Sequence, residues 1–353
     1  MKKNGFLPLV SGFLLFGILF MFTEEFSRGF ADGLMKCGNI VIPSMFPFLV
    51  SSSLAGSGHI PKIIKRIFEP ITQKIFRLPA ECLPAMIIGQ LGGYLSGAKS
   101  ADSLYKAEII SPSQASRLLF SGINPGMGFA VNAVGSIMLS SRQSGRILLF
   151  SLCISSLITA FLTRFLPESK TSFRPSQKIV PFSSALVSSV NSGTNAMLAA
   201  CGFICLFSGI LSVCRKLVTD TAAFSVVSCL LEITNGCFYA SGQFSLPVIA
   251  AFCGFGGLCV HLQIFAVADF RIDIFNFYLF RIIHSVLSFF ICKTVLHFFP
   301  VESSVFLSVS ENIALWSFSP LSAISLLFLS LLLIFDLDNN RKICYHSTVK
   351  ELN

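Results

Sequence analysis

The sequence predicts an all-α polytopic membrane protein, with about eight transmembrane helices and two re-entrant hairpins in an inverted repeat. Of its 353 residues, 53% are hydrophobic and 12% are charged, whereas an average soluble domain has about 25% charged residues. The mean hydropathy is +0.76. One buried core cannot hold this apolar excess, so lipid must cover the remainder. Apolar stretches of spanning length and two shorter, interrupted ones support the same class.

Eight apolar segments have about the length of a bilayer crossing. The first follows Lys2 and Lys3 and has no small-x-small cleavage site after it, which predicts a span and not a signal peptide. Two shorter stretches, 83–98 and 224–239, contain Gly or polar residues, which is typical of re-entrant segments. The predicted spans are 5–22, 33–56, 118–139, 147–166, 182–214, 244–268, 277–298 and 320–335.

The net charge of +9 is explained mostly by membrane topology. With these crossings, 18 Lys and Arg fall on the side of the N-terminus and 6 on the other. The positive-inside rule then predicts that both termini are cytoplasmic, and no nucleic-acid partner is needed to explain the charge. Residues 59–79 alternate Ile and Phe with Lys and Arg at helical spacing. This pattern predicts an amphipathic segment on anionic lipid, with recruitment of a partner as the alternative.

The order of segments occurs twice along the chain. Each half has a Gly-containing span, then a re-entrant stretch, then a span that opens with a Gly-rich motif. One helix separates the halves, so the second half enters the membrane from the opposite side, as in secondary transporters. The predicted units are an N-terminal transmembrane helix, the first repeat, a connecting helix with a basic cytoplasmic loop, the second repeat, and C-terminal helices with a cytoplasmic tail, at 1–30, 31–142, 143–181, 182–270 and 271–353.

Polar residues at the predicted helix breaks are candidates for a substrate site. Lys99 follows a Gly-rich loop, where it could bind an anion; the alternative is a lysine that extends to the membrane interface. Asn124 lies beside Pro125 and Gly126, and a group of polar residues around Gly193 is expected to interrupt the span 182–214 in the same way. The candidate substrate-binding residues are Gly93, Tyr94, Ser96, Gly97, Lys99, Asn124, Asn195, Thr234 and Asn235.

Glu232 is the only acidic residue between Asp220 and Asp269, and apolar residues surround it. An ionised carboxylate there is costly without a partner. It is predicted to bind a coupling ion or a proton, or to pair with Lys99. The alternative is a structural carboxylate that caps backbone amides.

The chain has no recognisable catalytic motif. There is no metalloprotease, nucleophile-elbow or P-loop pattern, and no intramembrane Asp pair. His261, His284 and His297 share no metal-ligand spacing with a carboxylate. We therefore expect no enzyme activity, no catalytic residues, no metal and no cofactor.

Three motifs occur in order: IPSMFPF at 42–48, GQLGGYLSGAKSADSLYKAEIISPSQASRLLF at 89–120, and LEITNG at 231–236. Together they resemble the YlbJ family of sporulation integral membrane proteins, of the stage V sporulation protein VV type. Members carry a nucleoside-recognition Gate domain, and the matching motif lies in the first repeat. The resemblance extends over residues 31–269.

This resemblance implies a fold similar to concentrative nucleoside transporters and a place in the bacterial cell membrane, namely the outer forespore membrane. It implies transport of dipicolinate, a small aromatic dianion, by alternating access around the two hairpins. The alternatives are a nucleoside-like permease and a non-transporting scaffold of the sporulation machinery. The expected partners are the small-molecule substrate and the lipid bilayer, with a homo-oligomer or sporulation membrane proteins as further candidates.

Overall fold

The computed structural model describes residues 6–56, 62–167 and 181–301, which form helices and connecting loops without a strand. The predicted all-α membrane class is confirmed. Large apolar side chains such as Phe150 and Phe290 are more than half exposed, as expected for surfaces that face lipid. Five helical segments of the described chain are long and apolar enough to cross a bilayer: Thr23–Ala55, Arg142–Thr163, Phe182–Leu217, Leu246–Val267 and Ile274–Phe298.

The N-terminal region differs from the predicted spans in its boundaries. The first apolar helix has 16 residues and ends where Phe22 leaves the helical conformation, so it is only about 24 Å long. The next span starts at Thr23, ten residues before the predicted start at residue 33. The helix that begins there continues through a π-helical turn into the following helix without a break. The elements are α1 (Phe6–Met21), α2 (Thr23–Lys36), the π-helical turn Cys37–Val41 and α3 (Ile42–Gly56).

The first predicted re-entrant stretch is a pair of short helices, α5 (Cys82–Gly92) and α6 (Tyr94–Lys106). They are folded back on each other, since a methyl group on Gly97 would lie 3.0 Å from the Cα of Gly89. The reversal occurs at Gly93, whose φ of 107° only glycine adopts readily. The amphipathic segment that precedes the pair contains α4 (Lys62–Ile71) and the π-helical turn Thr72–Phe76.

The predicted span 118–139 is not one continuous helix. It is divided into α7 (Pro112–Ser121) and the π-helical segment Gly128–Met138, and residues 123–126 between them are not helical. Pro125 has no N–H to donate, and the glycines on either side weaken the helix further. The helix break predicted at Asn124 is present, and it divides the segment that was predicted as one span.

The second half contains the corresponding elements. The stretch 224–239 is again a folded-back pair, since a methyl group on Gly236 would overlap Cys229. The predicted interruption at Asn191, Thr194 and Asn195 was wrong, because the helix α9 (Phe182–Leu217) is continuous there. Thr194 donates its hydroxyl to the carbonyl of Val190 in the same helix, and a single glycine does not stop the helix. The elements are α8 (Arg142–Thr163), α9 (Phe182–Leu217), α10 (Thr221–Leu231), α11 (Ile233–Ser241), α12 (Leu246–Phe255), α13 (Gly257–Val267) and α14 (Ile274–Phe298).

The same order of parts therefore occurs in both halves of the described chain. A long helix (α2–α3 or α9) precedes a hairpin (α5/α6 or α10/α11), which precedes a broken helix (α7 with its π-helical continuation, or α12/α13). The two long helices pack closely through small residues, because Gly29 and Gly33 of α2 contact Ser208 and its neighbours on α9. The opposite insertion of the two halves and the division into five units stay predictions. The predicted span 320–335 lies outside the described residues.

Candidate functional site

The turns of the two hairpins and the breaks of the two interrupted helices meet in the interior of the described chain. A methyl group on Gly126, in the break after α7, would lie 3.0 Å from the backbone N of Gly93 at the tip of the first hairpin. A methyl group on Gly257, in the break after α12, would lie 3.0 Å from the carbonyl O of Cys229 in the second hairpin. Each hairpin thus packs against the broken helix of its own half. The two halves are joined by Tyr94, whose hydroxyl donates to the carbonyl of Cys253 at 2.6 Å.

Arg281 of α14 bridges the two broken helices. Its Nε donates to the carbonyl of Phe255 at 3.0 Å, and its Nη1 donates to the carbonyl of Ile123 at 3.0 Å. Its Nη2 donates to the carbonyl of Gly254. The carbonyls of Gly254 and Phe255 belong to the last turn of α12, where a helix leaves acceptors without an intrahelical donor. The carbonyl of Ile123 lies in the non-helical segment after α7. A buried guanidinium therefore satisfies the backbone of both breaks.

Asn124 belongs to a buried polar network at the first break. Its side-chain amide donates to Gln90 of the first hairpin and, at 3.2 Å, to the carbonyl of Leu152 on α8. Gln90 in turn donates to Ser156, which donates to the carbonyl of Ser121. The Oδ1 atom of Asn124 is buried and has no hydrogen-bond donor among the described residues. The network fixes the break and leaves one acceptor for a bound molecule or water.

Glu232 caps the second helix of the second hairpin. Its carboxylate accepts from the backbone N–H of Thr234 at 2.8 Å and of Asn235 at 2.7 Å. The side-chain amide of Asn235 also donates to it at 2.7 Å and to Ser208 of α9 at 2.8 Å. Lys36 of α2 donates to the side-chain oxygen of Asn235. The cation nearest to this group is thus Lys36, and the capping role, which the sequence left open, is present.

Lys99 lies away from Glu232. Its Nζ is 3.8 Å from Asp102, one turn further along α6, so Asp102 takes the place of the partner that the sequence suggested. Asp102 is fully buried and also binds Lys106 at 2.8 Å, and Lys106 reaches Asp269 in the loop after α13 at 2.5 Å. Hydrogen bonding to Lys106 lowers the pKa of Asp269. This cluster connects the first hairpin to the loop after α13 in the second half.

The remaining predicted site residues are not equally close to the breaks. Ser96 is buried and donates to the carbonyl of Gly92 at 3.0 Å. Gly97 packs against the carbonyl of Gly122, so it provides close packing in the first hairpin. Thr234 is buried beside Glu232. Asn195 is exposed on α9 and is not brought to the convergence of the breaks.

The histidines sit against backbone carbonyls. His261 Nε2 is 2.8 Å from the carbonyl of Phe255, whereas its Nδ1 is buried without a partner in the described chain. His284 lies between the carbonyls of Gly254 and Leu152, at 3.1 and 3.3 Å. No group of three metal-ligating side chains occurs among the described residues.

One curated relative was found by comparison with known proteins. The chain is 24% identical over 241 residues to the sporulation integral membrane protein YlbJ of Bacillus subtilis (strain 168). The resemblance to the YlbJ family is confirmed. The match covers 62% of this chain and 58% of the relative, so the chain spans somewhat more than half of the relative's length. No family model and no solved structure matches the chain.

Sequence reasoning missed two cations of the site. Lys36 lies within the predicted span 33–56 and is counted only among the charges opposite the N-terminus, and Arg281 lies within the predicted span 277–298. Arg281 also lies beyond residue 269, where the YlbJ resemblance ends. The sequence did indicate a role for Arg281, because an ionisable residue inside a membrane span marks a functional site by default.

Proposed function

We propose that the protein is a membrane transporter of a small anionic aromatic solute, dipicolinate, during endospore formation. One observation carries this proposal: the breaks of two hairpins and two broken helices meet around buried polar groups, including Arg281. The relative's name supports a membrane role in sporulation. In this proposal the chain is not an enzyme and uses no cofactor.

Broken helices are expensive in a membrane. Each backbone N–H or C=O without a partner costs several kcal/mol in hydrocarbon. A scaffold has no use for four such breaks in one place, whereas secondary transporters build their substrate and ion sites from discontinuous helices. In this proposal the two hairpins move relative to the broken helices, and the solute is exposed first to one side of the membrane and then to the other.

Dipicolinate fits the chemistry of the convergence. It is planar and aromatic and carries two carboxylates, which suit a guanidinium and helix N-termini. Tyr94 supplies an aromatic ring beside Arg281. The site residues predicted from the sequence other than Asn195, Lys99 among them, and the role of Glu232 in ion or proton coupling belong to this proposal. So do the outer forespore membrane, the cytoplasmic termini and any oligomer.

A nucleoside-like permease is the second candidate. It is favoured by the carboxamides of Gln90, Asn124 and Asn235, which are buried at the breaks of both halves. Neutral amides of this kind bind the donors and acceptors of a base or a ribose.

Complementation of a spore-forming host that lacks its own YlbJ-type protein tests the role in sporulation. Expression of this chain is expected to restore the dipicolinate content of the spores. Normal chain levels and normal spore assembly with no gain in dipicolinate would contradict the proposal and favour a scaffold.

A further inference from the structure

Arg281 carries a buried positive charge for which the described chain provides no acidic partner. The side chain is 1% exposed, and no carboxylate of the described residues forms an ion pair with it. Its bonds go to three carbonyl oxygens and use one N–H on each of its three nitrogens. A guanidinium has five N–H groups, so one donor remains on each terminal nitrogen.

The acidic groups elsewhere in the interior are already engaged. Glu232 accepts hydrogen bonds from the first amides of α11 and from Asn235. Asp102 pairs with Lys106 and accepts from the backbone N–H of Asp269. Buried charges in proteins are usually paired, because an isolated charge is poorly solvated there. The carbonyl dipoles around Arg281 stabilise its charge only in part.

The surroundings of Arg281 are suited to an anion. A methyl group on Gly256 would lie 3.5 Å from its Nη2 and 3.4 Å from the ring of Tyr94, so both side chains border the same break. Gly256 and Gly257 both have positive φ, 96° and 75°, and α13 begins directly after this turn. The first N–H groups of α13 have no acceptor within the helix. An arginine and a helix N-terminus therefore adjoin one glycine turn.

We infer that a carboxylate of the transported solute is the counter-ion of Arg281. This inference rests on the proposed function and assigns its anion-binding residue. The carboxylate accepts the two remaining N–H groups of the guanidinium, the geometry for which arginine is better suited than lysine. Since Arg281 also binds Ile123 of one half and Phe255 of the other, the solute binds at the contact that joins the two broken helices.

Binding to the purified wild-type protein tests the inference without any substitution. Titration calorimetry in detergent would compare dipicolinate with its uncharged diamide, which has the same shape. Loss of charge-assisted hydrogen bonds is expected to weaken binding of the diamide by about tenfold to 100-fold. Equal binding of the two compounds would overturn the inference while leaving transport of an aromatic solute intact. Binding of uridine but neither compound would overturn the proposed function as well.

Two variants test whether Arg281 is the positive charge that binds the carboxylate of the solute. Arg281→Gln is expected to abolish the preference for dipicolinate over the diamide. Arg281→Lys is expected to keep part of this preference, because lysine keeps the positive charge but lacks the paired N–H donors of the planar guanidinium. Arg146→Gln, on an exposed position of α8, is the matched control and should keep the full preference. A preference unchanged in Arg281→Gln would contradict the assignment. If neither Arg281 variant folds, the wild-type comparison decides.

Discussion

At the residue scale, the breaks depend on side chains that replace lost helical hydrogen bonds and on glycines that permit the turn. Glu232 replaces two acceptors at the start of α11. Gly256 has a φ of 96°, and Tyr94 and Arg281 approach it closely. No other residue type combines the required backbone conformation with the absence of a side chain. Both positions are therefore sensitive to substitution for local physical reasons.

Gly256→Ala should destabilise the protein by about 1–2 kcal/mol, because alanine is strained at the positive φ of this position. Thermal unfolding in detergent measures the change. Gly202→Ala is the control, since nothing lies within 4 Å of that position on α9. The control should be neutral or more stable by up to about 1 kcal/mol, the helix preference of alanine over glycine. Equal stability of the two variants would contradict the strained turn.

Glu232→Ala tests whether this carboxylate does more than cap a helix. Loss of the cap alone costs about 1 kcal/mol. Asp220, which accepts from the N–H of Ala223 at 2.6 Å, caps the exposed start of α10 in the same hairpin. Asp220→Ala should therefore cost a similar amount of stability and leave dipicolinate uptake unchanged, whereas Glu232→Ala should abolish uptake. Wild-type uptake in a folded Glu232→Ala protein would leave only the capping role.

The residues of the site could be predicted only where the local sequence contains the glycine or proline that breaks the helix. Asn124, Glu232 and Asn235 stand beside Gly or Pro in otherwise apolar stretches, so their position indicates their role. The partners of these residues could not be predicted, because sequence spacing does not show which helices pack together. Lys36 reaches Asn235 from 199 positions away, and Lys99 turns to Asp102 on its own helix.

At the element scale, length and interruption predicted that 83–98 and 224–239 turn back on themselves, and each folds as a pair of short helices. Their entry into the membrane stays a prediction. The same reasoning predicted the break at Asn124 within 118–139, which is present, but it failed at Gly193, where polar residues were expected to break α9. The difference is local. Residues 122–126 combine two glycines with a proline, whereas Gly193 has no proline beside it and stands in a segment that stays helical, where Thr194 donates to the carbonyl of Val190.

The ion pairs between α6 and the loop after α13 should make this contact sensitive to acid. The lowered pKa of Asp269 means that its charged form stabilises the fold above the unfolded-state pKa of about 3.9. That contribution is lost as the pH falls through the lower folded-state value. The difference in melting temperature between wild type and Asp269→Asn is expected to be constant above about pH 5 and to shrink below pH 4.

Lys106→Met supplies the control for this pH dependence. Lysine at 106 is the principal cause of the lowered pKa, so in its absence Asp269→Asn should have little effect at any pH. If Asp269→Asn had a pH-dependent effect of the same size in the Lys106→Met background, a group other than Lys106 would be the cause of the pH dependence.

At the scale of the whole molecule, two halves with the same order of elements meet at their breaks. Arg281 and Tyr94 join the halves near the breaks, and the ion pair of Lys106 with Asp269 joins α6 to the loop after α13. Alternating access requires such contacts to be remade as the hairpins move. The polar groups at the two hairpin turns and the two helix breaks, together with Arg281 of α14, thus account for the proposed transport.

Uptake by proteoliposomes that contain only this protein tests that claim most directly. Labelled dipicolinate should accumulate inside them faster than in empty liposomes, unlabelled dipicolinate should compete, and uridine should not. Uptake of uridine with no uptake of dipicolinate would contradict the substrate and favour the permease for nucleosides. Uptake of neither solute by correctly folded protein would contradict transport itself.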